Sequence, residues 1–186
     1  MCWFLSSNKK ADWETAAEAM GRAAERLEQD FETRTTGRAG VLVRPAPDQD
    51  GPQAKAEVER ALGGLRSSDA RFDIEIDDTG HPWIVVREDG LPQLAAATKV
   101  IGTALAAGGL SDRVVAAIYP FRWREQQVYW LYQPRLRAYT PFAPLGSDEG
   151  SERDHPLELR MEAALRKALP TSRQISEWYP IWGIPL

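Results

Sequence analysis

A strict alternation of apolar and acidic residues at positions 72–77 is the feature that most constrains the fold. Phe72, Ile74 and Ile76 alternate with three acidic residues, which sends the two sets to opposite faces of a β-sheet. A turn-forming run follows at 78–80, and an apolar run at 83–86 can return as the second strand of a hairpin. The sequence therefore predicts an antiparallel sheet with one face toward a core and one face toward water.

Four other segments show the spacing of apolar positions by three and four that is typical of amphipathic helices. They begin near Asp12, Gly51, Pro92 and Asp154. Aspartate can cap the first and the last, and proline suits the start of the two in the middle. The third is rich in alanine and has Lys99 as its only charged residue. We therefore expect this helix to be buried on more than one side and to lie centrally across the sheet.

The remaining strands are predicted from short apolar runs at 40–44, 114–119 and 128–132, and residues 136–139 can add a short edge strand. Helices and hairpins follow one another in an order that favours an antiparallel sheet over parallel βαβ units. We predict a single α+β domain at residues 11–186, with a sheet of about five strands and helices packed on one face. This order of elements resembles that of secretion-chaperone-like domains, by analogy alone.

Three stretches lie outside these elements. Residues 1–10 place the apolar run 3–5 before two lysines, and we expect a flexible tip that either tucks against the domain or dips into lipid headgroups. Residues 144–153 are small, polar and charged, as in a mobile loop. The aromatic carboxy-terminal segment 171–186 contains two prolines and cannot be one regular helix. Its rings either clamp the fold or contact a partner.

Composition narrows the functional class. The chain has 186 residues, of which 43% are hydrophobic, enough for one domain with a substantial core. A net charge of −4 gives no electrostatic reason to approach nucleic acid. Cys2 is the only cysteine, which excludes an intramolecular disulfide and suits a reducing compartment. No apolar run reaches the roughly 20 residues of a membrane span, so we expect a cytoplasmic protein with at most peripheral membrane contact.

Motifs for catalysis or metal binding are not evident. The two histidines, His81 and His155, fall in different segments without cysteine or carboxylate partners at metal-ligand spacing. Neither a nucleophile elbow nor a phosphate-binding glycine loop is present. We therefore expect no cofactor, no metal and no enzymatic activity. An unrecognised hydrolase built on serine or aspartate residues stays open as an alternative, because catalytic triads assemble in space and not in sequence.

Aromatic residues concentrate in the last third of the chain, interleaved with arginines. Tryptophan, tyrosine and arginine dominate the binding energy of many protein interfaces. Val128, Trp130 and Tyr132 alternate and are expected to line the sheet core. For the others we hypothesise that they build or support a partner-binding surface, and the candidates are Tyr139, Phe142, Trp178, Tyr179 and Trp182.

The same region carries a family resemblance. Its pieces are Tyr139-Thr140-Pro141-Phe142-Ala143-Pro144, Arg153-Asp154, Leu157-Glu158-Leu159-Arg160, Leu169-Pro170 and Trp178-Tyr179-Pro180-Ile181-Trp182-Gly183. In this order they resemble the PspA-associated protein PspAB family of bacteria and archaea, which is linked to the phage-shock type of envelope-stress response. The resemblance runs from about Tyr129 to the end and back to Phe72 through residues 83–87, whereas residues 13–31 do not align.

The resemblance implies a non-enzymatic accessory to a membrane-remodelling, coiled-coil protein of the PspA type, and to the membrane protease that accompanies such systems. It implies no catalytic residues, and the oligomeric state stays open. The alternative is a chaperone-like or adaptor domain, unrelated to membranes, that holds an amphipathic helix or an extended segment against its sheet.

Overall fold

The computed structural model describes residues 12–29, 32–65, 71–146 and 152–186. The expected tip at 1–10 and residues 147–151 of the expected loop lie outside these ranges. The helices are α1 (Trp13–Gln29), α2 (Gly51–Ala61), α3 (Leu91–Ala107) and α4 (His155–Leu165). The strands are β1 (Thr33–Thr35), β2 (Arg38–Val43), β3 (Phe72–Ile76), β4 (Pro82–Arg87), β5 (Val114–Trp123), β6 (Gln126–Gln133) and β7 (Ala138–Phe142). None of the helices within the described ranges is long and apolar enough to cross a bilayer.

The strands form one antiparallel sheet in the order β3-β4-β2-β5-β6-β7, with β1 paired to the far end of β5. The predicted α+β class is confirmed, and the sheet has seven strands in place of about five. The predicted hairpin at 72–86 is β3 and β4, in the register Ile74 to Ile84. The outer edge of β7 is covered in part, because the Tyr139 amide donates to the Pro170 carbonyl at 2.8 Å.

Capping side chains set the residues at which three of the helices begin. Oδ1 of Asp12 accepts from the Thr15 amide at 2.9 Å, and Oδ1 of Asp154 accepts from the Leu157 amide at 2.9 Å, so both predicted caps are confirmed. The start of α2 has a reciprocal capping box between Asp50 and Gln53, which satisfies two otherwise unpaired amides.

The helices cover one face of the sheet, called here the front. As predicted, α3 lies centrally, in contact with α1, α2 and strands β2, β4 and β5. Val128, Trp130 and Tyr132 line this front core and are at most 1% exposed, which confirms their expected role. The hydroxyl groups of two front tyrosines bind α1 directly. Tyr132 donates to the Asp12 carbonyl at 3.2 Å and Tyr139 donates to the Ala16 carbonyl at 2.9 Å.

The opposite face of the sheet, called here the back, differs from the predicted water-facing side. Only the outer strand β3 presents its acidic residues, Asp73 and Glu75, to water. Across the central strands the prediction of a water-facing side is wrong, because a second apolar cluster is buried there. Its members are Leu42, Trp83, Val85, Ala116, Ile118, Tyr129, Leu131 and Phe142. The carboxy-terminal segment covers this cluster with Ile181, Trp182, Ile184 and Leu186, so both faces of the sheet are packed.

Candidate partner-binding surface at the carboxy-terminal segment

The carboxy-terminal segment, residues 171–186, crosses the back of the sheet. It leaves the edge of β7, makes a short 3-10 turn at Ile175–Glu177 and continues without regular structure. The ring of Trp182 meets Phe142 of β7 edge-on, with ring centroids 5.1 Å apart. Further along, the Leu186 side chain lies over Gly40 of β2. The segment therefore runs from the β7 edge toward the middle of the sheet.

Side chains of the sheet and its flanks hold the segment by its main chain. Four donors each bind a carbonyl oxygen of the segment: Gln133 binds Glu177 at 3.3 Å, Arg153 binds Trp178 at 2.8 Å, Arg38 binds Pro185 at 3.2 Å and Gln127 binds Leu186 at 3.1 Å. Because these contacts reach main-chain oxygens, they do not depend on which side chains the segment carries. Specificity comes from the apolar side chains that face the back cluster.

A buried ionic cluster fixes the start of this crossing. The fully buried Glu158 of α4 accepts from the Ala143 amide at 2.9 Å and from Nε of Arg153 at 3.0 Å. Nδ1 of His155 lies 3.1 Å from its second oxygen. The Arg153 guanidinium also lies over the Phe142 ring. One arginine thus joins the end of β7, the start of α4 and the carboxy-terminal segment.

Four of the five predicted contact residues lie in the carboxy-terminal segment or in the back cluster that it covers. Phe142 and Trp178 are buried, and Nε1 of Trp178 donates to the Ser172 carbonyl at 3.0 Å. Trp182 is half-buried, and Tyr179 is 63% exposed. Tyr139 is fully buried on the front face, against α1. Tyr179 and Trp182 can therefore touch a partner directly, and Phe142 supports Trp182 from beneath. Trp178 binds Ser172 within the segment, and Tyr139 is not part of the same surface.

Other exposed apolar side chains belong to the elements that this ionic cluster joins. Ile175 in the 3-10 turn is 54% exposed, Leu159 of α4 is 48% exposed and Leu145, just after β7, is 58% exposed. Tyr179 is the most exposed large hydrophobic residue in the described part of the chain. Because tyrosine is among the residues that dominate the binding energy of many protein interfaces, Tyr179 is the exposed residue here best suited to contact a partner.

Comparison with known families is decisive for identity. The model of the family described as PspA associated protein B, PspAB, matches residues 5–186. The chain belongs to this family. The match takes in α1, so the segment 13–31, which the sequence resemblance left out, is part of the PspAB unit. A search among curated proteins and a search among solved structures gave no match.

The pieces of the sequence that resembled PspAB converge in space. Residues 139–144 form most of β7 and the two residues after it, Arg153 and Glu158 form the ionic cluster, and residues 178–183 begin the crossing of the back face. Sequence reasoning missed Arg38 and Gln127, which hold the far end of the segment. They lie 147 and 59 residues away from the carbonyls that they bind, and no local pattern relates such distant positions.

The histidines lie apart in the structure. His81 sits in the β3–β4 turn, where Nδ1 is 2.7 Å from Oγ1 of Thr79, and His155 is at the start of α4. Within the described ranges, no three side chains among histidine, cysteine, aspartate and glutamate are grouped to hold a metal ion.

Proposed function

We propose that this PspAB-family protein is a non-enzymatic accessory that binds a PspA-type coiled-coil protein through the surface around Tyr179 and Trp182. The observation that carries the proposal is the exposure of the Tyr179 side chain, which is 63%. The chain is held by Arg153 just before this residue and by the Phe142 ring just after it. The family description, which names an association with PspA, supports the class of partner.

The physical basis is a preorganised aromatic anchor. Tyrosine offers a large contact area and loses little conformational entropy on binding, because it has only two side-chain torsions. Here its backbone is already held, since Arg153 binds the carbonyl of the preceding Trp178 and the Tyr179 amide donates to the Glu177 carbonyl at 3.0 Å. Binding therefore orders little that is not ordered already, which favours affinity.

We place this association in an envelope-stress response of the phage-shock type, at the cytoplasmic side of the membrane with at most peripheral lipid contact. A membrane protease of such systems is the second partner to be examined. Membership of a family described as PspA-associated supports this setting.

A second function, that of an adaptor that holds an extended segment against its sheet, is favoured by one observation. The back of the sheet already binds such a segment, residues 177–186 of the same chain, through main-chain carbonyls and apolar side chains. The partner of an adaptor would contribute an extended peptide, whereas the partner in the main proposal needs to contribute only a folded surface.

The test is direct binding of the full chain to a purified PspA-type protein from the same host, measured by biolayer interferometry. Tyr179→Ala is expected to weaken binding by about 2 kcal/mol, or roughly 30-fold, as for an interface hot spot. Its melting temperature should not change, because the side chain is exposed. The matched control is Val100→Ala, which removes an exposed side chain from α3 on the front. Wild-type binding by both Tyr179→Ala and Trp182→Ala, with folding intact, would contradict the proposal.

A further inference from the structure

Gly40, in the middle of β2, makes a notch in the back of the sheet. A Cβ atom at this position would lie 2.9 Å from Cδ1 of Leu186 and 3.3 Å from Cε3 of Trp83. Any other residue would therefore force the leucine side chain that now fills the space to shift. Glycine inside a strand often marks a place where another chain segment approaches closely. We call this depression, bounded by Gly40 and Trp83, the Gly40 notch.

The occupant of the notch is held by its main chain as well as by its apolar side chains. Arg38 and Gln127 donate to the carbonyl oxygens of Pro185 and Leu186. Ile184 precedes a proline, which disfavours helix and keeps the occupant extended. Main-chain hydrogen bonds combined with apolar side chains in pockets are a general way to bind extended peptides. A different segment of similar shape can make the same contacts.

Arg38 has a donor that the present occupant does not use. Its Nε is buried and has no hydrogen-bond acceptor within the described ranges. Nearly all buried donors in folded proteins are paired. The Pro185 carbonyl alone therefore does not satisfy the hydrogen-bonding groups of this guanidinium. A segment that brings a further oxygen, and a carboxylate above all, would pair it fully.

The occupant is joined to the rest of the segment by a residue suited to act as a pivot. Gly183 has φ of +64°, in the left-handed region that favours glycine. It is exposed, and apart from Gly183 and its two chain neighbours no described atom lies within 4 Å of the position of a Cβ. Trp182 before it is fixed against Phe142. Rotation at Gly183 can therefore move residues 184–186 while the surface around Tyr179 and Trp182 stays in place.

We propose that the Gly40 notch is a peptide-binding site, occupied in cis by residues 184–186 and in trans by an extended apolar-proline-apolar segment of the protein partner, whose adjacent carboxylate pairs with Arg38. This inference rests on the proposed function in that it concerns the same partner. It adds a second contact with that partner. It also adds a means of regulating partner binding, because residues 184–186 of the chain compete with the partner for the notch.

The experiment measures fluorescence anisotropy of a dye-labelled peptide, Gly-Ile-Pro-Leu-Glu, added to the full chain. The double substitution Ile184→Ser with Leu186→Ser should bind the peptide at least about tenfold more tightly than the wild type, because the fraction of molecules with an open notch rises. Gly40→Val should abolish binding by filling the notch. The matched peptide ending in Gln should bind more weakly, and Arg38→Gln should remove the difference between the two peptides.

Each variant is checked by its circular-dichroism spectrum, and if the double variant does not fold, the smaller change Leu186→Ala replaces it with the same expected direction. Equal binding by wild type and opened variant, or binding that survives Gly40→Val, would overturn the inference. So would dimerisation of the opened variant in analytical ultracentrifugation, since a second copy would then be the occupant. If Tyr179→Ala loses affinity for the PspA-type protein while the peptide fails to bind, that combination would support the proposed function and overturn only the peptide-binding role of the Gly40 notch.

Discussion

Arg153 and Glu158 form an ion pair with 3.0 Å between Nε and Oε1, and their side chains are only 13% and 0% exposed. Both charges were taken out of water on folding, which is costly unless each is paired and hydrogen-bonded. Glu158 meets this condition through the Ala143 amide and His155 as well as through Arg153. The pair is therefore the point at which β7, α4 and the carboxy-terminal segment depend on one another.

Removal of one partner tests this dependence. Glu158→Ala is expected to lower the free energy of unfolding by about 3–5 kcal/mol, because it leaves a buried arginine without its counter-charge. Urea unfolding, followed by tryptophan fluorescence, gives the value. Glu18→Ala is the control, since it breaks the exposed pair with Arg22 in α1 and exposed pairs contribute little. Equal denaturation midpoints for the two variants would show that the buried pair does not hold these elements.

The sequence predicted the elements whose pattern is local. The alternation at 72–76 became β3, the alanine-rich helix became the central α3, and aspartate caps marked the starts of α1 and α4. β1, at Thr33–Thr35, is too short to carry a pattern. β7 begins at Ala138 and extends to Phe142, beyond the predicted 136–139, because residues 134–137 form a turn in which Arg137 has φ of +55°.

The covered back face was missed for a different reason. A continuous apolar run, without alternation, indicates a strand buried on both faces, and residues 83–86 of β4 have that pattern. The signal shows that something covers the back but not what covers it. Residue type alone was enough to select Trp178, Tyr179 and Trp182 as candidates. Which of them is exposed depends on contacts between residues that are far apart in sequence.

The close approach of α1 to α3 predicts a sensitive position at Gly102. A Cβ there would lie 2.2 Å from the indole ring of Trp13, which is itself buried. Gly102→Ala is therefore expected to destabilise the fold by about 1–3 kcal/mol through overpacking, despite the better helix propensity of alanine. Gly63→Ala is the control, because outside its own stretch of chain no described atom lies within 4 Å of its Cβ position. The melting temperatures of the two variants are compared. A Gly102→Ala protein as stable as the control would show that α1 and α3 can move apart to accept a methyl group without loss of stability.

The β3–β4 turn predicts a loss of stability in acid. Partial burial raises the pKa of Asp77, but hydrogen bonds from Trp83, Thr79 and His81 outweigh it and hold the pKa below its usual range. A carboxyl group whose pKa is depressed on folding adds stability above its unfolded pKa of about 3.9, and this stability is lost as the pH falls through the folded value. Unfolding free energies of the wild type should therefore drop below about pH 4 more steeply than those of Asp77→Asn. Parallel pH profiles would contradict the role of these hydrogen bonds.

The front tyrosines predict a corresponding loss in alkali. Burial raises the pKa of Tyr119 to about 12, and burial also raises the pKa of Tyr132 to about 12. Because an unfolded tyrosine ionises near pH 10, the stability that these groups contribute is complete below about pH 10 and is lost as the pH rises toward 12. Tyr119→Phe should make the decline in unfolding free energy between pH 10 and 12 shallower. It also removes the contact of 2.5 Å with Oγ1 of Thr98, so its stability at neutral pH should be lower. Absorbance at 295 nm follows tyrosinate directly, and ionisation of all five tyrosines near pH 10 in the folded protein would contradict the burial of this group.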